Sequence, residues 1–424
     1  MIVSPSSTIL ILMSDTGGGH RAAAEAIRDA LCARFGDRYQ VVLEDLFVQA
    51  RWPAPLLPRI YPPWVNKMAW SWGAMFHSSN GHHRSRLFNR VFGASLAGPV
   101  RRLYERHNPG LVVSVHPLMN AVPERVLRRF NPHVPFVTVV TDLFSAHALW
   151  FHPPVDLLLV PTEGAARRAR RYHVPPEKIH VVGQPISLQF AQNHHGATAP
   201  TELPARVETS AAVPAPAMRS IANTIAAHEP GPSKAALRRE LGLAPDLPVA
   251  LLVGGGDGMG RLYAIAHAVN ESDLPMQLLV VAGRNAALRT RLENHQWQLP
   301  AQILGFATNM PKLMRAADFI VTKAGPGTIM EAVASGLPIL LFGYLPGQER
   351  GNVDFVEQNG LGVLRRSPQA VVAELRRWLA PGSTALADMR ARSRALARPD
   401  AALEAAGLLD ALWHGRSPAR GTSL

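Results

Sequence analysis

The sequence predicts an α/β protein with two parallel sheets, and three observations carry that prediction. Short apolar runs recur along the chain, bounded by turns and separated by helical patterns: ILILM, QVVLE, LVVSVH, PFVTVVT, DLLLVP and KIHVVG, then VALLVG, QLLVVAG, QILGF, FIVTKAG and PILLFG. Consecutive apolar residues of this kind suit strands covered on both faces. Each series opens with a strand that runs into a glycine-rich turn, MSDTGGGHR in the first and LVGGGDGMG in the second. Between the series lies a stretch of alanine, proline, serine and threonine without apolar periodicity, which divides the chain in two. The predicted organisation is a first domain over 1–192, a flexible insertion or linker over 193–233, a second domain over 234–400, and a C-terminal helix and tail over 401–424.

The bulk composition sets outer bounds. The chain has 424 residues, 47% hydrophobic and 18% charged, which describes globular domains and excludes wholesale disorder. A formal charge of +13 makes the surface attractive to anions such as nucleic acid, anionic lipid headgroups or a phosphorylated substrate. Much of that excess lies in arginine-rich stretches such as EGAARRARRYH, which read as solvated helix faces. The lone cysteine, Cys32, leaves no intrachain disulfide or cysteine metal cluster, which fits a cytoplasmic home. The apolar run Ile9 to Met13 is too short to span a bilayer, so any meeting with a membrane is expected from its surface.

In the first half, Gly17, Gly19 and Ala22 fit G-x-G-x-x-A, and Glu44 or Asp45 closes the next strand near the offset of a ribose-binding acid. That is the fingerprint of a nicotinamide-dependent oxidoreductase, and it is the competing reading. His20 argues against it, because an imidazole directly after the third glycine would crowd a pyrophosphate lying on the turn. At the carboxyl end of a strand His20 instead faces the crevice where α/β sheets bind ligands, with an ordinary pKa near working pH, and is a candidate general base. His116 and Asp142 end later strands, in SVH and VTD, and are expected to face the same cleft. Residues 51–79 gather Trp52, Trp64, Trp70 and Trp72 with prolines, Arg59 and Lys67. Tryptophan beside cations suits a membrane interface, while burial in a core is the alternative.

The second half carries a nucleotide pattern. A strand ends at Thr322, the turn Gly325-Pro326-Gly327-Thr328 opens a helix, and Glu331 sits one turn inside it. Amides and a hydroxyl there can hold a diphosphate, and a carboxylate at that offset can accept from both hydroxyls of a ribose. Gly255, Gly256 and Arg284 are further diphosphate candidates. Gln348, Glu349 and Asn352 group in a loop after another strand, as the hydroxyls of a sugar would require. No metal is needed for such a site.

SDTGGGHRAAAEAI, SVHPLMN, VTDLFSAHALWFHPPVD, VVGQPI, LVGGGDGMG, AGRN and TKAGPGTIMEA through PGQERGNVDFV together resemble the monogalactosyldiacylglycerol synthases and the bacterial diacylglycerol glucosyltransferases. Those are similar in turn to the lipid-linked N-acetylglucosaminyltransferase of peptidoglycan synthesis. The resemblance implies a GT-B fold: two Rossmann-like domains across a cleft, acceptor on the first, UDP-sugar on the second, and inversion at the anomeric carbon. It implies that His20 is the key histidine; Asp142, from its place at the end of VTD, is expected to orient the acceptor or a histidine. It also implies that Phe306 meets the uracil and that the region of Trp64 and Trp70 engages lipid; Gly19, in the glycine turn, is expected to bring the backbone close to the acceptor. His116 and Trp150 are further candidates on the acceptor side. The expected partners are a UDP-hexose, diacylglycerol and an anionic membrane surface, with the protein peripheral to the cytoplasmic face; no nucleic-acid partner is expected, and a protein partner cannot be inferred. A noncatalytic nucleotide-sugar-binding protein docked on membranes is the remaining alternative.

Overall fold

A computed structural model describes residues 7–14, 18–49, 60, 64, 68–191, 232–256, 258 and 261–415. Most of the predicted linker, together with Gly17, Trp52, Arg59 and Lys67, lies outside those residues.

Two six-stranded sheets form, each wholly parallel. The first runs in the order β2-β1-β3-β4-β5-β6, from strands Thr8–Met13 (β1), Gln40–Asp45 (β2), Leu111–Ser114 (β3), Phe136–Val139 (β4), Leu157–Val160 (β5) and Ile179–Val181 (β6). The second runs β12-β11-β10-β7-β8-β9, from Val249–Val253 (β7), Gln277–Val281 (β8), Ala301–Leu304 (β9), Phe319–Lys323 (β10), Ile339–Gly343 (β11) and Gly362–Leu364 (β12). The apolar runs become the strands because helices cover both faces: Ile9, Leu10, Ile11 and Leu12 are all fully buried, odd and even positions alike. β12 is not among those runs. It is three residues long with two of them half-buried, too little pattern to separate from a loop.

In both sheets the chain starts in the middle, builds outward one way, then returns to build the other way. The reversal falls between β1 and β3 in the first sheet and between β7 and β10 in the second. Beyond the carboxyl ends of strands at such a reversal the two connections diverge and leave a crevice for ligand.

The last helix, Ala401–Trp413, returns to the first half. Ala402, Ala405, Ala406 and Leu409 are buried with Ile9, Ile11 and Ile27 in the core over the first sheet. Tyr39 donates to Asp410 Oδ1 at 2.6 Å, and Arg34 donates to the Leu403 carbonyl at 3.0 Å. A run of alanines lets this helix approach closely, and a methyl added at Gly407 would lie 2.5 Å from Arg34 Nη1.

Candidate active site

The histidines sit at the first reversal. His20 opens helix Gly19–Phe35 directly after β1, and Gly18, at φ 76°, makes the left-handed turn that feeds it. His116 follows β3 and is buried. Their rings meet edge to face, with centroids 4.6 Å apart, and the Trp150 ring lies 5.9 Å from that of His20. Thr141 Oγ1 is 3.0 Å from His20 Nδ1, which fixes the orientation of the imidazole. Burial lowers the His20 pKa to about 4, against a backbone hydrogen bond with Val115 that raises it, so the imidazole is neutral at working pH and able to accept a proton. Burial, with the neighbouring His20 as a smaller cause, likewise holds His116 well below the ordinary range.

Asp142 is buried beside them, and its Oδ2 accepts from Trp150 Nε1 at 2.7 Å. Burial raises its pKa to about 6; the indole bond works against that shift, and the charge of Glu349 adds to it. Glu349 belongs to the other half of the chain, so the carboxylate already feels the facing domain.

At the second reversal the turns after β7 and β10 lie side by side. Helix Pro326–Ala334 has Gly325 as its N-cap, and the amides of Gly327 and Thr328 have no backbone acceptor among the described residues. A methyl on Gly327 would meet nothing within 4 Å. Glu331, one turn in, makes no side-chain hydrogen bond to any described residue, and burial raises its pKa to about 7. Gly255, at φ 78°, turns the other loop, and Lys323 stands between the two: its Nζ pairs with Glu349 Oε1 at 2.7 Å.

The halves touch where loop 344–349 and the start of helix Arg350–Gln358 meet the first domain. Ser145 Oγ donates to the Gln348 carbonyl at 2.7 Å and accepts from the Gly351 amide at 3.2 Å. Helix Ala69–Ser79 packs on the same loop, so that a methyl on Gly73 would lie 2.8 Å from Pro346 Cβ, and one on Gly347 would lie 2.8 Å from Phe76.

Residues 20–186 match the family model described as monogalactosyldiacylglycerol (MGDG) synthase, and residues 250–402 match the glycosyltransferase family 28 C-terminal domain. Monogalactosyldiacylglycerol synthase 1 of Arabidopsis thaliana is 37% identical over 93% of this chain and 68% of its own length. The spinach (Spinacia oleracea) synthase is 37% identical over 97% of this chain and 74% of its own length. The chain belongs to the monogalactosyldiacylglycerol synthase family. It is a glycosyltransferase. Its fold is GT-B, as in MurG of Acinetobacter baumannii (TM-score 0.55, 13% identity, 95% of this chain and 99% of that one). UGT71G1 of Medicago truncatula, solved with UDP-glucose, gives a TM-score of 0.56 at 15% identity, over 96% of this chain and 98% of that one.

Membership of the monogalactosyldiacylglycerol synthase family removes the oxidoreductase reading, and the geometry agrees. Glu44 is bound by His107 Nε2 at 2.8 Å and by Gln49 Nε2 at 2.6 Å, and Asp45 caps the Phe47 amide at 3.0 Å. Three residues expected to meet substrate are buried. Trp150 is fully buried, so it supports Asp142 and His20 from behind and offers no surface to lipid. Glu349 is 3% exposed, with one oxygen on Lys323 and the other on the Leu345 amide at 2.8 Å. Asn352 is 1% exposed and donates to the Ala324 carbonyl at 2.9 Å, bracing the turn after β10 from beneath. Asp142 binds Trp150 and not a histidine; Thr141, its neighbour in VTD, holds His20, and nothing in its residue type marks it in the sequence.

The remaining residues gather as two groups across the cleft. Gly19, His20 and His116 lie on one side. Gly255, Gly256, Gly325, Pro326, Gly327, Thr328 and Glu331 lie on the other. Arg284 reaches over Phe306 with its guanidinium 4.6 Å from the ring centre, and Phe306 is 54% exposed, which excludes ordinary core packing. Gln348 touches the first domain through its backbone, leaving its amide side chain for other contacts. Trp70 is 74% exposed beside Met68 at 48%, whereas Trp64 is half-buried, donating to Ser71 and packed against Trp72. Lys323 joins the site from the structure alone, since a lysine at a strand end carries no sequence signal beyond solvation.

Proposed function

We propose that the protein transfers a hexose from a UDP-sugar to the free hydroxyl of diacylglycerol with inversion, working on an anionic membrane surface from the cytoplasmic side. The observation that carries this reading is the pairing of the two reversals: a neutral imidazole, His20, faces one side of the cleft and an open helix N-terminus with an unpaired carboxylate, Glu331, faces the other. The uridine stacks on Phe306, the ribose diol donates to Glu331, and the diphosphate lies on the amides of Gly327 and Thr328 and the glycines after β7. Gln348 reads the hexose. The acceptor hydroxyl approaches from the opposite side, and His20 takes its proton as the oxygen attacks. No metal ion is required by this assignment. Trp70 and Met68 enter the lipid headgroup layer, and the basic surface draws the protein to anionic lipid.

The test is purified protein given UDP-galactose or UDP-glucose with diacylglycerol in anionic vesicles. A monoglycosyldiacylglycerol carrying a β-linkage, read from the anomeric proton coupling, is the expected product. Glycolipid from neither donor overturns the proposal, and an α-linked product overturns inversion.

A further inference from the structure

Transfer makes a new negative charge on the leaving diphosphate, and among the described residues Arg284 and Lys323 are two cations beside the turns proposed to hold it. Arg284 lies over the Phe306 ring and so stands at the base end of the nucleotide. Lys323 stands at the reacting end. It is the last residue of β10, the strand that pairs with β7 at the reversal, so its side chain leaves the sheet between the two glycine turns. A methyl on Gly255 would lie 3.1 Å from Lys323 Cε, and one on Gly325 would lie 3.4 Å from its Nζ. Both glycines are therefore bare on the side that faces the lysine. Glu349 supplies the matching restraint. It is buried, and its second oxygen is tied to the Leu345 amide; among the described residues Glu349 is the hydrogen-bond partner of the ammonium, which has two further hydrogens for acceptors in the cleft.

Resting on the donor site proposed above, we infer that Lys323 is the catalytic cation of the leaving group and that Glu349 is its positioning residue. The bond between the anomeric carbon and the β-phosphate oxygen breaks, and its electron pair goes to that oxygen. The acceptor oxygen forms the new bond to the anomeric carbon, and its proton passes to His20. Lys323 keeps all its protons throughout and strengthens a hydrogen bond to the phosphate as charge develops there. Glu349 keeps the ammonium on station without competing for the phosphate, because its own carboxylate is fixed inside the fold.

The experiment measures UDP and uridine binding by calorimetry, and turnover, on full-length wild type, Lys323→Gln, Lys323→Arg and Glu349→Gln. Uridine contains the base and ribose but no phosphate. Lys323→Gln is expected to lower kcat about 100-fold, the order seen when one donor to a developing anion is removed. It should also abolish most of the preference for UDP over uridine while uridine binding stays as in wild type. Lys323→Arg should recover much of the loss, and Glu349→Gln should lower kcat about tenfold with uridine binding intact. Unchanged UDP preference and turnover in Lys323→Gln overturn the inference, as does an equal loss of UDP and uridine, which marks a structural role. If Lys323→Gln does not fold, wild-type kinetics in Glu349→Gln overturn it instead. Failure of the donor site itself looks different, since wild type would then bind neither ligand.

Discussion

Trp150 Nε1 donates to Asp142 Oδ2 over 2.7 Å while the indole ring lies 5.9 Å from that of His20. One buried side chain therefore satisfies the carboxylate and backs the candidate base. Trp150→Phe keeps the ring and deletes the donor. Because the indole bond lowers the Asp142 pKa against burial, its loss moves the pKa upward from about 6. The acidic limb of the kcat/KM profile should shift to higher pH, and stability should fall by about 1–3 kcal/mol, the cost of leaving a buried acceptor unmatched. An unmoved limb removes Asp142 from the titration that governs activity.

Glu331, the proposed ribose ligand, is also a buried carboxyl whose titration bears on stability. Burial raises its pKa from 4.5 to about 7, so the folded state binds a proton between those values that the unfolded chain releases. By linkage, stability falls as pH rises through this window and the ionised form is a cost above it. Glu331→Gln should thus raise Tm relative to wild type at pH 8 and leave it nearly unchanged at pH 4. The same variant should raise the KM for the sugar donor about tenfold or more through loss of charge-assisted bonds to the ribose. A Tm difference that does not depend on pH contradicts the environment assigned to this carboxylate.

His20 and His147 work in the opposite direction. Burial lowers both to about 4 from 6.5, so the unfolded chain binds protons that the folded one refuses. Their contribution is complete above about 6.5 and is lost as pH falls toward 4. His147→Gln should flatten the acid side of the Tm profile without touching UDP binding, as seen by thermal scans at successive pH values.

Ser145 bridges the domains through the Gln348 carbonyl and the Gly351 amide. A methyl on Gly351 would lie 2.7 Å from the Ser145 backbone nitrogen, so Gly351→Ala should force the cleft apart and lower kcat/KM well beyond the effect of Ser145→Ala. Ser145→Ala should cost about 0.5–1.5 kcal/mol of that contact and shift the ratio of kcat/KM for the two UDP-hexoses, because the loop carrying Gln348 is less firmly set. An unchanged ratio separates the loop from sugar selection.

Trp70, at 74% exposure, makes no structural demand on the fold. Trp70→Ser should weaken partitioning onto anionic vesicles several-fold with Tm unchanged. Partitioning should also fall with salt, as the basic surface is screened. Full binding by the variant assigns membrane contact elsewhere.

The fold is legible in the sequence because its strands are covered on both faces, and unbroken apolar runs such as ILILM and VALLV fit little else than strands of that kind. β12 is not legible, since three residues carry no period. The return of helix Ala401–Trp413 to the first half is not legible either, because an alanine stripe shows that a partner is close without naming it. In the site, residues on tight turns are readable from type and spacing: His20, Thr328 and Glu331 are placed where such turns put them. Residues whose role depends on a distant partner are not. Glu349 and Asn352 read as sugar ligands, and the structure adds that both are buried and bonded to the turns around them; Trp150 reads as a lipid contact and is buried, and Lys323 and Thr141 acquire meaning only from what lies beside them.

The central claim is that the cleft divides its work, with His20 on the acceptor and the nucleotide held wholly by the second domain. Paired measurement of glycolipid formation and UDP affinity in wild type and His20→Ala tests it most directly. Turnover should fall about 100-fold or more while the Kd for UDP stays within about twofold, since a base contributes in the transition state and not to ground-state binding of the nucleotide. A matching loss of UDP affinity, or turnover that survives the substitution, contradicts that division.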